Sequence, residues 1–163
     1  MRAILTFVVT AIAMTVLAVS AGAESWATYL NARYGTFAEY PTDWFRALPP
    51  PENGDGQSFR GKDGSSLVIS GGHNFENFTP ATYEKFLRGS GADDYSHVTY
   101  STTGAHSLVL SGLRGGEIFY EEYLFSGDLI HTLVITYPPA ARAEYDPIVT
   151  HIARSLGPRA GTP

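Results

Sequence analysis

Turn-forming residues recur about every ten residues in the second half of the chain, and this spacing constrains the fold more than any other feature. The runs between the turns are rich in β-branched and aromatic residues, and they cover residues 95–103, 106–113, 117–125 and 129–137. The turns contain glycine or aspartate, as at Ser126-Gly127-Asp128. Strands joined by connections this short pair with their sequence neighbours in antiparallel order. We therefore predict an antiparallel meander.

Two earlier segments add strands to this sheet. Residues 57–61 and 65–70 flank Lys62-Asp63-Gly64, and Asp-Gly between strand-like runs predicts a hairpin. Residues 34–40 form an aromatic run that Pro41-Thr42-Asp43 ends. The proline-rich residues 49–56 cannot continue a ladder and predict an exposed loop.

Two segments carry the signals of amphipathic helices. Thr79-Pro80 reads as an N-cap followed by proline in the first turn, before apolar residues at helical spacing. Asp146-Pro147 is expected to open a second helix that ends at Gly157-Pro158. The last strand has apolar residues on both faces, so both faces are expected to be covered. The fold class predicted is α+β, with two main helices against about six or seven antiparallel strands.

The first residues have the order of an exported protein. Arg2 precedes the uncharged run Ile4 to Val19, and small residues at Ala21 and Ala23 match an A-x-A cleavage site. We expect a signal peptide at residues 1–23. The rest is expected to comprise a linker at 24–33, one globular domain at 34–158 and a tail at 159–163.

The composition of the mature chain excludes several classes of protein. Cleavage after Ala23 would leave 140 residues, the usual size of one domain. The sequence contains no cysteine, which excludes disulfides and thiol chemistry. The mature chain would carry 10 basic and 16 acidic side chains without any basic run, so nucleic acid is not an expected partner. No stable membrane insertion is expected once the signal is removed.

The stretch Tyr34 to Phe45 holds five aromatic rings in twelve residues. Large rings are usually buried, which favours an aromatic edge of the core formed by Tyr34, Phe37, Tyr40 and Trp44. The alternative is an exposed ring platform for a partner or a sugar.

The common local signatures of catalysis are missing from the sequence. It contains no G-x-S-x-G elbow, P-loop, H-E-x-x-H or G-x-G-x-x-G motif. We therefore assign no catalytic residue, no metal ligand and no cofactor. A site built from scattered residues stays open, because a catalytic triad is defined by its geometry.

One loop is a candidate for ligand binding. Two glycines in Ser70 to Phe78 would let a ligand approach the backbone, and His73, Asn74 and Glu76 supply polar groups. The alternative is a plain strand-to-helix connection, because glycine and asparagine mark turns.

His131 is the second candidate, because it lies on an otherwise apolar strand face. Glu121 or Glu122 on the preceding strand is expected to satisfy its imidazole. Such a pair is either structural or a pH-sensitive or catalytic dyad. The two glutamates are adjacent, so they face opposite sides of a strand and cannot act together.

The order of aromatic, glycine and proline residues resembles the PsbP-like superfamily. That family includes the extrinsic photosystem II subunit, a Ran-binding nuclear transport factor and short exported bacterial proteins. The resemblance covers roughly residues 32–157 and implies an α/β/α sandwich with a binding or accessory role. It rests on Tyr34-Gly35, Phe37, Tyr40-Pro41, Trp44, Gly54-Asp55-Gly56, Phe59, Gly116, Tyr120, Leu133, Ile135, Tyr137-Pro138, Tyr145-Asp146, Ile152 and Ser155-Leu156.

These features together predict a monomeric periplasmic or secreted module that binds an unknown protein or small molecule without catalysis. One alternative is a hydrolase-type enzyme with a scattered site near His131. The other is an envelope-associated protein that docks through exposed aromatic residues.

Overall fold

The computed structural model describes residues 24–159. The expected signal peptide, with Ala21 and Ala23, lies outside the described residues, as does most of the expected tail. Within the described range, no helix is both long enough and apolar enough to cross a membrane.

Residues 24–159 form strands and helices in the order of an α+β protein. The strands are β1 (Trp26–Leu30), β2 (Thr36–Pro41), β3 (Phe45–Ala47), β4 (Gly56–Gly61), β5 (Ser66–His73), β6 (Val98–Thr103), β7 (Ser107–Arg114), β8 (Glu117–Ser126), β9 (Leu129–Tyr137) and β10 (Gly157–Pro158). The helices are α1 (Pro80–Ser90) and α2 (Arg142–Ser155). A 3₁₀ turn, Pro139–Ala141, leads directly into α2.

The strands build two antiparallel sheets. The large sheet has seven strands in the order β3-β4-β5-β9-β8-β7-β6, and the small sheet has the order β1-β2-β10. Strands β6, β7 and β8 each pair with the next strand in sequence, which confirms the predicted meander. The Asp63-Gly64 hairpin between β4 and β5 is also confirmed.

The two faces of the large sheet bury separate cores, which gives the predicted α/β/α sandwich. One face packs against α2 and the small sheet. The other face packs against α1 through Tyr83 and Leu87. The fully buried side chains of the α2 face include Phe59, Ile135 and Ile152.

The start of α1 follows local sequence. The Thr79 side chain accepts a hydrogen bond from the Thr82 backbone N–H, and the Thr82 hydroxyl accepts one from the Thr79 N–H. This reciprocal capping box satisfies two backbone donors that the helix leaves free. Gly91 adopts a left-handed conformation after the last turn, at φ +68°.

The start of α2 differs from the prediction. The helix begins at Arg142, so Pro147 lies inside it and does not open it. The 3₁₀ turn at residues 139–141 has already set helical geometry, so α2 continues from it despite the proline. The helix ends at Ser155, just before the predicted stop at Gly157-Pro158, and Gly157-Pro158 pairs with Phe37 and Thr36 as β10.

The segment 24–33, expected to be a linker, instead contains β1. Its register with β2 runs from Trp26 opposite Pro41 to Leu30 opposite Phe37. Tyr29 packs on the core by meeting Phe59 edge to face at 6.2 Å. The sequence of β1, Trp-Ala-Thr-Tyr-Leu, does not alternate apolar and polar residues, so no local period predicts a strand there.

Candidate functional site

The α2 side of the large sheet is incompletely covered. A cleft of about 770 Å³ opens between α2 and the outer strands β6, β7 and β8. Tyr100 on β6 and Leu113 on β7 line it and are 55% and 43% exposed. Large side chains this exposed on a sheet face are a feature of interaction surfaces.

The opposite wall of the cleft comes from the start of α2. Pro139, Arg142 and Asp146 line it, together with the ring of Tyr137. Arg142 Nε lies 3.6 Å from Asp146 Oδ2, so the rim carries an exposed ion pair of opposite charges. This wall of the cleft is therefore apolar at Tyr137 and Pro139 and charged at Arg142 and Asp146.

A second cleft of about 320 Å³ continues along α2 past Tyr120 and Glu122. The Tyr120 hydroxyl donates to Glu122 Oε2 at 3.0 Å. Burial raises the pKa of both groups. We call the residues that line the two clefts the α2 groove. It combines tyrosine rings with a half-buried carboxyl group and is suited to binding.

Glu121 faces the other side of the sheet, in a cluster of buried side chains that the sequence patterns do not predict. It is 2% exposed, and Tyr95 and Tyr123 each donate a hydroxyl hydrogen bond of 2.9 Å to its Oε2. Arg114 Nη2 lies 2.9 Å from Glu121 Oε1, although Nη2 has no partner with hydrogen-bond geometry among the described residues. The guanidinium also stacks over the ring of Phe119 at 4.3 Å. The cluster is a buried ion pair with an aromatic shell.

The expected pairing of His131 with a neighbouring glutamate is wrong. Nδ1 of His131 lies 2.8 Å from Thr36 Oγ1, and Nε2 has no hydrogen-bond partner among residues 24–159. Glu121 lies on the opposite face of the sheet. Glu122 shares the face of His131 but bonds to Tyr120. Because burial lowers the pKa of the wholly buried His131, the arrangement keeps its imidazole neutral.

The candidate loop at residues 70–78 is partly strand, because β5 continues through His73. His73 Nδ1 lies 3.1 Å from Asp128 Oδ2. Asn74 closes the loop on itself, since its side chain accepts from the Phe78 N–H and donates to the Phe78 carbonyl. Glu76 is exposed, so the structure does not bring its carboxylate together with His73 and Asn74 in one site.

Metal binding gains no support from this loop. Between residues 24 and 159, no group of three or more His, Cys, Asp or Glu side chains could hold a metal ion. A role in binding some other ligand stays a prediction for four residues: His73, Asn74, Glu76 and His131.

The aromatic stretch divides between core and surface. Tyr34 is buried, while Tyr40 and Trp44 are half-buried against the main core. Tyr40 packs on Phe59 at 4.4 Å between ring centres, and Trp44 meets Tyr145 edge to face at 5.2 Å. Phe37 points to the other face of β2 and lines a shallow cleft beside α2.

That shallow cleft contains a contact between three elements. The indole of Trp26 stacks on the His151 ring at 3.7 Å, and His151 Nε2 lies 2.6 Å from Glu39 Oε2. The residues come from β1, α2 and β2, so the contact fastens the small sheet to the helix. His151 and Glu39 are both partly exposed, so their pairing is screened by water.

Comparison with solved structures identifies the fold. The chain is similar to the solution structure of cyanobacterial PsbP (CyanoP) from Synechocystis sp. PCC 6803, with a TM-score of 0.60 and 12% sequence identity. The match covers 85% of this chain and 95% of the other. The chain has a PsbP-like fold. No family model matches the sequence, and no curated protein matches it at the sequence level.

The PsbP-like fold confirms the resemblance that the aromatic, glycine and proline residues indicated. At 12% identity, the likeness establishes the architecture alone. Any function must therefore be argued from the residues of this chain, and the α2 groove combines exposed aromatic and apolar side chains with a cleft of about 770 Å³.

Proposed function

We propose that this protein is an exported accessory module that binds a partner protein or a small ligand in the α2 groove and catalyses no reaction. The observation that carries the proposal is the uncovered sheet face at Tyr100 and Leu113, beside a cleft of about 770 Å³. A PsbP-like fold is consistent with an accessory role. Export is supported by the uncharged run Ile4 to Val19 and the small residues Ala21 and Ala23.

The state of the buried histidine weighs against the enzymatic alternative. A general base must reach a substrate proton, whereas His131 is fully buried and bonded to Thr36. Tyr145 and Ser65 are likewise committed to buried contacts, because the Tyr145 hydroxyl donates to Asp63 Oδ2 at 2.8 Å and lies 2.6 Å from Ser65 Oγ. These groups serve the core.

One observation supports docking through exposed aromatic residues as a second candidate. Phe75 and Phe86 are 82% and 50% exposed, and Phe86 contacts Phe78 with ring centres 5.0 Å apart. Phe78 and Phe86 form a patch on the α1 side of the molecule, away from the α2 groove, whereas Phe75 contacts His73. The two candidates therefore make separable predictions.

The test places a photo-crosslinking phenylalanine analogue at position 100 or at position 86 of the full chain in cells. We expect the analogue at position 100 to form a cross-link to one defined partner, and the purified protein and partner to form the same cross-link. At position 86 we expect no cross-link. A product from position 86 alone would favour docking through the α1-side patch instead.

Export is tested separately by cell fractionation and by sequencing the amino terminus of the mature protein. We expect a periplasmic or secreted chain that begins at Glu24. A separate measurement of molecular size in solution is expected to give a monomer. A cytoplasmic chain with residues 1–23 retained would overturn the export proposal.

A further inference from the structure

Strand β6 forms one edge of the large sheet, and its backbone is open along that edge. It pairs with β7 on one side, and no described strand pairs with its other side. The Gly104 N–H donates to the Ser107 carbonyl, and hydrogen-bonded pairs alternate along an antiparallel ladder. Tyr100 and Thr102 therefore bond to β7, whereas Ser101 and Thr103 direct their N–H and C=O groups outward.

Strand β6 lacks most of the features that usually block an edge strand. Natural edges are protected by charged residues, by proline, by shortness or by β-bulges. The opposite edge, β3, has these features: it spans three residues, includes Arg46 and leads into Pro49-Pro50-Pro51. Strand β6 spans six residues, Val-Thr-Tyr-Ser-Thr-Thr, without charge or proline. The one protective feature in β6 is a register irregularity between Val98 and Tyr100, and the pairing from Tyr100 to Thr103 is regular.

The two faces beside β6 differ in chemistry. Tyr100 lies on the α2 side and lines the large cleft. On the α1 side, the hydroxyls of Ser101 and Thr103 donate to the Glu84 carboxylate at 2.9 Å and 3.3 Å. A strand added at this edge would place alternate side chains on these two faces.

We propose that β6 accepts an extended segment of a partner protein as an additional antiparallel or parallel strand. Apolar side chains of that segment lie beside Tyr100 at the mouth of the α2 groove, and its polar side chains lie beside Ser101, Thr103 and Glu84. Outward backbone groups on two alternate residues bond an extended peptide, whereas a helix has no free backbone groups to offer along its length. This inference rests on the proposed function, because it specifies what the α2 groove binds.

The test uses a blocked peptide that alternates threonine with valine or phenylalanine and carries lysine at each end. Amide hydrogen exchange of the full-length mature chain is followed residue by residue with and without peptide. We expect exchange at Ser101 and Thr103 to slow about tenfold or more, because their amide groups become hydrogen-bonded. Exchange at Tyr100 and Thr102, already bonded to β7, is expected to change little.

A methylated peptide is the control that separates strand addition from side-chain binding. The same peptide with N-methyl groups on alternate amides keeps every side chain but loses the donors that face β6. It is expected to leave Ser101 and Thr103 unprotected. Equal binding by the methylated peptide would overturn strand addition while leaving the groove as a binding site.

A matched pair of proline variants tests the location. Ser101→Pro removes an outward donor of β6, and Thr28→Pro removes the equivalent donor of β1, the uncharged edge of the small sheet. We expect Ser101→Pro to abolish peptide binding and Thr28→Pro to preserve it. The reverse result would move the site to β1 and refute the proposal, and the methylated peptide still tests it if either variant fails to fold.

A second copy of the chain is the competing occupant of this edge. If Ser101 and Thr103 are already protected without peptide, in proportion to protein concentration, then β6 pairs with itself and the proposal fails. A position-100 cross-link to another protein would in that case still support the broader binding function.

Discussion

The Thr36 hydroxyl lies 2.8 Å from Nδ1 of His131, and both side chains are 0% exposed. Thr36 belongs to β2 of the small sheet, and His131 belongs to β9 in the centre of the large sheet. The contact therefore joins the two sheets where β2 crosses the large one. A histidine in this position holds the fold together and is inaccessible to a substrate.

Removal of the Thr36 hydroxyl tests this role. We expect Thr36→Val to lower the free energy of unfolding by about 1–3 kcal/mol, because it leaves a buried imidazole nitrogen without a partner. The measurement is urea unfolding at neutral pH. Thr28→Val is the matched control on an exposed position of β1, where a change within about 0.5 kcal/mol is expected. Equal effects from the two variants would contradict the proposed role.

The stability contributed by a neutral His131 should depend on pH. Burial lowers the pKa of His131 below its ordinary value of 6.5, so the unfolded chain takes up a proton first as the pH falls. The unfolded state then binds more protons, and the free energy of unfolding decreases as pH falls below 6.5. Above that value this contribution is fully present.

The measurement compares the free energy of unfolding of the wild type and His131→Gln across this pH range. We expect the difference between the two proteins to shrink as the pH falls, because the variant cannot take up that proton. A difference that stays constant with pH would show that His131 has an unshifted pKa.

The crossing of the two sheets also demands glycine at position 71. A Cβ added there would collide with Thr36 Oγ1 and would lie 2.7 Å from Tyr34 Cβ. We expect Gly71→Ala to destabilise the protein by about 1–3 kcal/mol through overpacking. At Gly72 an added Cβ meets nothing within 4 Å, so Gly72→Ala is the control and should fold almost normally. Thermal melts of the two variants decide the comparison.

The buried ion pair between Arg114 and Glu121 should be costly to break from one side. Arg114→Met leaves the nearly buried Glu121 carboxylate without its cation, and we expect a loss of about 3–5 kcal/mol. Glu121→Gln in the same chain removes the charge and is expected to restore part of the loss. A double-mutant cycle by chemical unfolding measures the coupling. Additive losses would indicate that the two side chains do not interact.

Local sequence carried enough information for the hairpins and α1. The Asp63-Gly64 turn and the Thr79-Pro80 cap act within a few residues, so their signals do not depend on the rest of the chain. The opposite facing of Glu121 and Glu122 was equally predictable, because alternation is a property of any strand.

The pairing of His131 was not predictable, because its partner Thr36 is 95 positions away in the chain. The ion pair between Arg114 and Glu121 joins strands that are neighbours in sequence, so it was not predicted for a different reason. The turn between β7 and β8 fixes which side of the sheet each residue faces, and only the register shows that they share a side.

The sequence by itself determined the antiparallel meander, the hairpin and the first helix, because turns, caps and alternation are governed by neighbouring residues. Tertiary structure decided that residues 26–30 and 157–158 become strands, since each pairs with β2 and gains its hydrogen bonds from a distant segment. It also decided where the sheet stays uncovered: α2 packs across the central strands and leaves Tyr100 and Leu113 exposed beside it. No local signal specifies which part of the sheet is left uncovered. That depends on the lengths of the helix and the strands and on the angle at which they cross, and these elements meet only in the folded chain.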